Sequence, residues 1–223
     1  MELKPVADIA HAVLLGSFNP AIFQPAWFAS KEILSEEQAK AANIEVIHPE
    51  VAQFKTDWLQ LSVTRNRFTA MTSDPSCRIA LRDFVIGTFG LLEHTPTTHM
   101  GLNRAMHFDM MDAERWHRLG HRLAPKEPWK DLVTNPGLRT LLMESPRRDG
   151  LLGREYVRVE PSQTHPHSAF VEVTKELHAV PGQEANATPY FVERLGADWA
   201  DVMEDAYKLA STLVLPVLHG DAP

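Results

Sequence analysis

The residues able to do chemistry are scattered along the chain. Glu114, His117 and His121 follow one another at spacings of three and four, which on a helix puts their side chains on one face. His-x-x-x-His is a spacing that metals accept. Arg118 stands where His-Glu-x-x-His would carry its Glu, and Arg115, Arg118 and Arg122 surround the pair with charge that opposes a cation. A solvated helix face is the better reading. His165-Pro166-His167 sits in a Ser/Gln/Thr/Pro stretch and reads as an exposed hairpin loop. Cys77, the one cysteine, opens a predicted helix, where thiols can become reactive. No neighbouring base completes a catalytic pair, and a packing role fits a free cysteine better.

Arg147, Arg148 and Arg154 flank the Asp149-Gly150 turn and could meet phosphate or an acidic partner. A charged hairpin tip that blocks edge aggregation explains them equally well. There is no Walker loop, no Gly-x-Gly-x-x-Gly in a strand–loop–helix setting and no Gly-x-Ser-x-Gly elbow. No catalytic residue, metal ligand or cofactor is therefore assigned, and the sequence leans away from an enzyme.

The elements that position these residues come from the hydrophobic pattern. Ile9 to Phe18 reads as a strand. Pro25 to Ala41 reads as a helix, with Ser35 able to cap a second start and split it in two. Ile44 to Phe54 reads as one strand broken near His48-Pro49. Leu59, Leu61 and Val63 alternate with polar residues and pair in a hairpin with Phe68 and Ala70. Leu81, Phe84, Val85, Thr88 and Leu92 have helical spacing; Gly87 and Gly90 within that helix imply close packing. A strand over 97–110, a helix to Leu123, strands over 138–144, 156–160 and 170–178, and a final helix starting between Pro189 and Asp198 follow.

Each half thus reads strand, helix, three strands, helix. The expected fold is α+β: internally duplicated strand-helix-three-strand-helix units forming antiparallel sheet covered by helices on one face. The chain would be a single domain of two pseudo-symmetric halves, 8–95 and 97–218, with 219–223 a disordered tail.

The 223 residues are 44% apolar, enough for a core. A net charge of −7 disfavours nucleic acid and anionic membranes. The run Ile9 to Leu15, interrupted by His11, is too short to span a membrane, and no signal-peptide pattern precedes it. A cytoplasmic location is expected. The lone cysteine excludes an intrachain disulfide.

Helices on one face leave the other free. On the strands, His99, Asn103 and His107 alternate with apolar residues, as do Tyr156, Arg158 and Glu160, and Phe170, Glu172, Thr174, Glu176 and His178. Gln60, Ser62, Thr64, Arg67 and Thr69 do so in the first half. Such a face is either a solvated surface or a recognition surface anchored by Tyr156 and Phe170. Arg104 lies in register with the apolar side and requires a buried carboxylate or a strand edge. His99, Asn103, Arg104, His107, Tyr156, Arg158 and Phe170 are the candidate ligand- or partner-binding residues.

The stretch from Ile47 to Trp129 resembles a group of bacterial proteins of unknown function. The carriers are His48-Pro49-Glu50, Asp57-Trp58, Arg67-Phe68, Leu81-Arg82-Asp83-Phe84-Val85, His94-Thr95-Pro96, Gly101-Leu102-Asn103-Arg104, His107-Phe108, Leu123-Ala124-Pro125-Lys126 and Trp129. The resemblance implies a bacterial or phage-associated source and no activity or cofactor. The element order is also similar to the duplicated saddle of TATA-binding proteins, an analogy of topology alone.

Three functions remain open at this stage. The first is a non-enzymatic interaction protein that binds a protein partner or self-associates as a homodimer through the open face. The second is a small-molecule binder or enzyme with a pocket between sheet and helices, using His99, His107, Arg104 and Tyr156. The third, nucleic-acid binding, needs a basic surface that the acidic balance opposes.

Overall fold

A computed structural model describes residues 3–183 and 185–219, so the expected tail lies, from residue 220 on, outside the described residues. Nine strands form one antiparallel sheet. They are β1 (Ala7–Gly16), β2 (Asn43–His48), β3 (Val51–Lys55), β4 (Gln60–Thr64), β5 (Arg67–Thr72), β6 (Thr97–Asp109), β7 (Leu141–Pro146), β8 (Gly153–Pro161) and β9 (Ser168–His178). Their order is β2-β3-β4-β5-β1-β6-β9-β8-β7. The long strands β1 and β6 pair antiparallel at the centre, and each half of the chain extends the sheet outward from that pair.

The α+β class and the helix-covered antiparallel sheet agree with the pattern reading, with one change in strand number. Ile44 to Phe54 is not one broken strand. Pro49-Glu50 turns the chain back, so β2 and β3 form a hairpin of their own, with Ile44 opposite Phe54 and His48 opposite Val51. Proline cannot donate to a ladder and favours a turn. Four strands therefore lie between the helices of the first half and three between those of the second.

The helices are α1 (Pro25–Ser30), α2 (Glu36–Ala41), α3 (Arg78–Leu91), α4 (Ala113–Leu123) and α5 (Thr188–Leu218). Ser35 does split the first helical stretch. Its hydroxyl accepts from the Gln38 backbone while the Gln38 side chain accepts from the Ser35 backbone, a capping box that restarts the helix. Asp112 caps α4 by accepting from the Arg115 backbone at 2.8 Å. A Cβ added at Gly87 would meet Ile33 Cγ1 at 3.7 Å, an ordinary van der Waals contact, and nothing crowds Gly90, so the close packing expected from the sequence accounts for neither glycine.

The core lies between the helices and one sheet face. Ala10, Ala12 and Leu14 of β1 join Phe54, Phe68, Leu102, Phe84 and Phe89 in a first cluster, with Phe28 and Phe84 rings 4.8 Å apart and Phe68 and Phe89 4.9 Å apart. Met106, Phe108, Val159, Val171 and Val173 form a second cluster with Leu119 of α4 and Ala206, Ala210, Val214 and Val217 of α5. At 31 residues, α5 is about 46 Å long by its rise per residue. That length lets it contribute Phe191, Leu195, Trp199 and Val202 to the first cluster and its C-terminal turns to the second.

Candidate functional site

Strand alternation puts the remaining side chains on the sheet face away from the helices. The register aligns them across six strands: Ser62 of β4 opposite Thr69 of β5, Thr69 opposite Val13 of β1, His11 opposite Asn103 of β6, Asn103 opposite Thr174 of β9, and Thr174 opposite Tyr156 of β8. Val13, Ala105 and His107 are buried on this face although neither hydrophobic cluster includes them, and His107 is flanked there by His165 of the β8–β9 loop, ring centres 5.1 Å apart.

Six of the seven residues singled out from the sequence lie here, in three groups. His107, Arg158 and Phe170 form the first. The Arg158 guanidinium stands 5.0 Å from the Phe170 ring centre, and the His107 ring lies 5.1 Å from it. Arg158 also donates to Glu172 at 2.8 Å. His107 Nδ1 and Ser162 Oγ share a hydrogen bond of 2.8 Å. Burial first, and the nearby His165 second, hold His107 below the usual histidine range.

Asn103 belongs to the second group, beside His11 at the centre of the sheet. Burial pulls the His11 pKa down; Glu172 opposes that shift and Arg67 and Arg158 reinforce it. Three buried polar atoms on this part of the face have no hydrogen-bond partner among the described residues: His11 Nε2, Asn103 Oδ1 and Arg158 Nε. Buried polar atoms ordinarily find a partner in protein or water.

His99 and Tyr156 make the third group. His99 is directly opposite His178, with ring centres 4.6 Å apart. Glu176, two residues before His178, points to the same face. One ligand atom from each of His99, Glu176 and His178 lies within 4.8 Å of the others. Tyr156 lies against Glu176, and burial followed by that carboxylate raises the phenol above its ordinary pKa. His99 and His107 are eight residues apart on β6, about 26 Å along an extended strand, so they serve no common centre.

Arg104 is the seventh residue, and it sits on the opposite, core face. It is 7% exposed. Its Nε and Nη2 donate to Asp8 at 3.0 and 2.6 Å, and its Nη1 donates to the Met203 carbonyl at 2.7 Å. The buried carboxylate that its register demanded is Asp8.

The other sequence motifs disperse. His117 and His121 are exposed; Glu114 is paired with Arg118, and Lys126 Nζ stands 3.2 Å from His121 Nε2. Cys77 is half-buried, and its thiol faces the Asp74 carboxylate at 3.6 Å. Arg147 pairs with Asp149, Arg148 with Glu155 and Arg154 with Glu144, so each guanidinium at the hairpin tip already has a carboxylate.

A groove of about 1130 Å³ opens between α4, the segment 126–138 and β8, lined by Trp116, His117, His121, Lys126, Val159 and Glu160 among others. None of His99, Arg104, His107 and Tyr156 lines it. Of those four residues, Arg104 lies in the packed core and the other three lie on the sheet face away from the helices. No helix of the described residues is long and apolar enough to cross a membrane.

No protein-family model matches the chain, and no curated protein matches it in sequence. The site must therefore be read from its own geometry. Sequence reasoning missed His11, noted only as an interruption of an apolar run, and gave Glu176 and His178 no role beyond membership of the face. The alternation signal was present for all three. What was missing was the register that sets them beside Asn103 and His99.

Proposed function

We propose that the chain is a non-enzymatic interaction protein whose uncovered sheet face docks onto a second copy of itself. The observation that carries this reading is the sidedness of the sheet. The helices pack on one face, and the other carries the half-buried Phe170 and Tyr156, with buried polar atoms that lack a partner among the described residues beneath them. Large uncovered faces with aromatic anchors and a polar surround are typical of protein interfaces.

Area and charge favour a second copy. Nine strands at about 4.8 Å spacing and about 20 Å of shared length give roughly 800 Å², the usual contribution of one partner. The second-half strands place Glu144, Glu160, Glu172 and Glu176 on this face against Arg154 and Arg158, an acidic excess. On the first-half strands the Lys55–Glu45 pair is neutral and Arg67 leaves a positive excess. Two copies related by a two-fold axis would lay each positive half over the other's acidic half. An internal duplication, 8–95 against 97–218, belongs to the same proposal: it would account for two halves that extend outward from the β1–β6 pair.

Sedimentation velocity at micromolar concentration tests the reading. A dimer is expected. Phe170→Ala should weaken it about 30-fold, as loss of an interface hot spot of about 2 kcal/mol does. Arg67→Glu should weaken it through charge. A monomer throughout, or a dimer indifferent to both substitutions, overturns the proposal.

A further inference from the structure

We infer that His99, Glu176 and His178 form a divalent transition-metal site, suited to zinc, on the open face of the sheet. The three residues come from one chain, so the site stands whether or not the face docks a second copy. Two imidazoles and one carboxylate are a ligand set that zinc accepts with a further position left for water or another ligand.

The geometry comes from the ladder. His99 and His178 are a direct cross-strand pair of β6 and β9, and Glu176 stands on the same side of β9 one pleat away. All three are half-buried, so their rotamers are restricted but solvent reaches them. Their ligand atoms lie within 4.8 Å of one another. Zinc at about 2.05 Å from each ligand in tetrahedral geometry needs about 3.3 Å between them, a closure that side-chain rotation supplies.

The surroundings are those of a metal site. Thr98 Oγ1 lies 2.9 Å from His99 Nδ1, which fixes the ring and leaves Nε2 for a metal. Tyr156 of the neighbouring strand stands diagonally beside Glu176, across from Thr174. Gly153 lets the start of β8 lie close against the β9 backbone at Glu176: its φ is +144°, and a Cβ there would fall 2.0 Å from the Glu176 carbonyl oxygen. The nearest guanidiniums do not compete for the carboxylate. Arg154, opposite Glu176, is paired with Glu144, and Arg147 meets the Glu176 backbone carbonyl at 3.4 Å while its charge is paired with Asp149. The His178 ring stands 3.5 Å from the Glu176 carboxylate, an approach that a shared cation would tighten.

Calorimetric titration of the chelator-stripped full chain with zinc chloride tests the site. One ion per chain is expected. His99→Ala and His178→Ala should each weaken binding by at least about 100-fold, and Tyr156→Phe by about tenfold, since outer-shell changes cost about 10- to 100-fold. The double variant His117→Ala/His121→Ala should bind as the parent does. Cobalt(II) should broaden the imidazole resonances of His99 and His178 in the unaltered protein, a readout that survives if a histidine variant fails to fold. Binding unaffected by His99→Ala and His178→Ala, binding abolished in the His117/His121 double variant, or cobalt broadening confined to other histidines overturns the inference.

Discussion

Replacing Asp8 should damage the fold more than replacing either arginine that it holds. Asp8 is 8% exposed, accepts from Arg104 twice and forms an ion pair with Arg78. Arg104 also donates to the Met203 carbonyl and stands 5.1 Å from the Tyr207 ring centre, so this one guanidinium ties β1 and β6 to α5. Asp8→Ala leaves two guanidiniums without a carboxylate, and breaking a buried pair in this way costs about 3–5 kcal/mol. Arg104→Met keeps Asp8 paired with Arg78, which is 19% exposed, and removes three charge-assisted hydrogen bonds, while the Met203 carbonyl keeps its place in the α5 ladder; about 1–3 kcal/mol is expected. The double variant Asp8→Leu/Arg104→Met removes both buried partners and leaves Arg78 free to reach solvent along its aliphatic stem. It should be more stable than Asp8→Ala alone. Urea unfolding followed by tryptophan fluorescence reads these differences. With a slope of about 2.5 kcal/mol per molar, the Asp8→Ala midpoint should fall by about 1–2 M. A loss below about 1 kcal/mol for Asp8→Ala, or a double variant less stable than Asp8→Ala, would refute the view that one carboxylate neutralises both cations.

The open face and the β8–β9 pairing give two further outcomes. Burial lowers the His11 pKa from 6.5, so the unfolded chain takes up a proton first as pH falls. The stability is complete above pH 6.5 and is lost as pH drops from there toward the folded pKa; His107 adds a loss of the same sign. The urea midpoint should therefore decline between neutral and mildly acidic pH, and His11→Gln should decline less; equal slopes would contradict the assignment. Gly153→Ala should cost more than about 1 kcal/mol, because its φ of +144° and the 2.0 Å approach to Glu176 both exclude a side chain, and zinc affinity should fall with it. An alanine variant as stable as the parent by thermal melting would show that β8 and β9 can separate without penalty.

Much of the fold was legible because alternation in strands and spacing in helices are local signals. Leu59 to Val63 announced a half-buried strand, Ser35 a new helix start, and Arg104 a hidden carboxylate. The β2–β3 hairpin was less legible because its residues do not alternate cleanly. Ile44, Val46 and Ile47 straddle a bulge that shifts the register between Ile44 and Val46 and turns consecutive apolar side chains to different faces.

The site was legible by side and illegible by neighbour. Period-2 alternation assigns a residue to a face from its own strand, and it placed His99, His107, Tyr156 and Phe170 together on that basis. Which residues touch is decided by strand order and register, both non-local. The order β6-β9-β8 puts His178 beside His99 across a sequence separation of 79, and the same ladder carries His107 to the far end of the strand with Phe170. A one-residue slip of β9 against β6 would turn His178 and Glu176 into the core and Leu177 out of it. The buried Leu177, Val173 and Val171 therefore fix the register that makes the histidine pair, and the hydrophobic core on one side of the sheet determines the chemistry presented on the other.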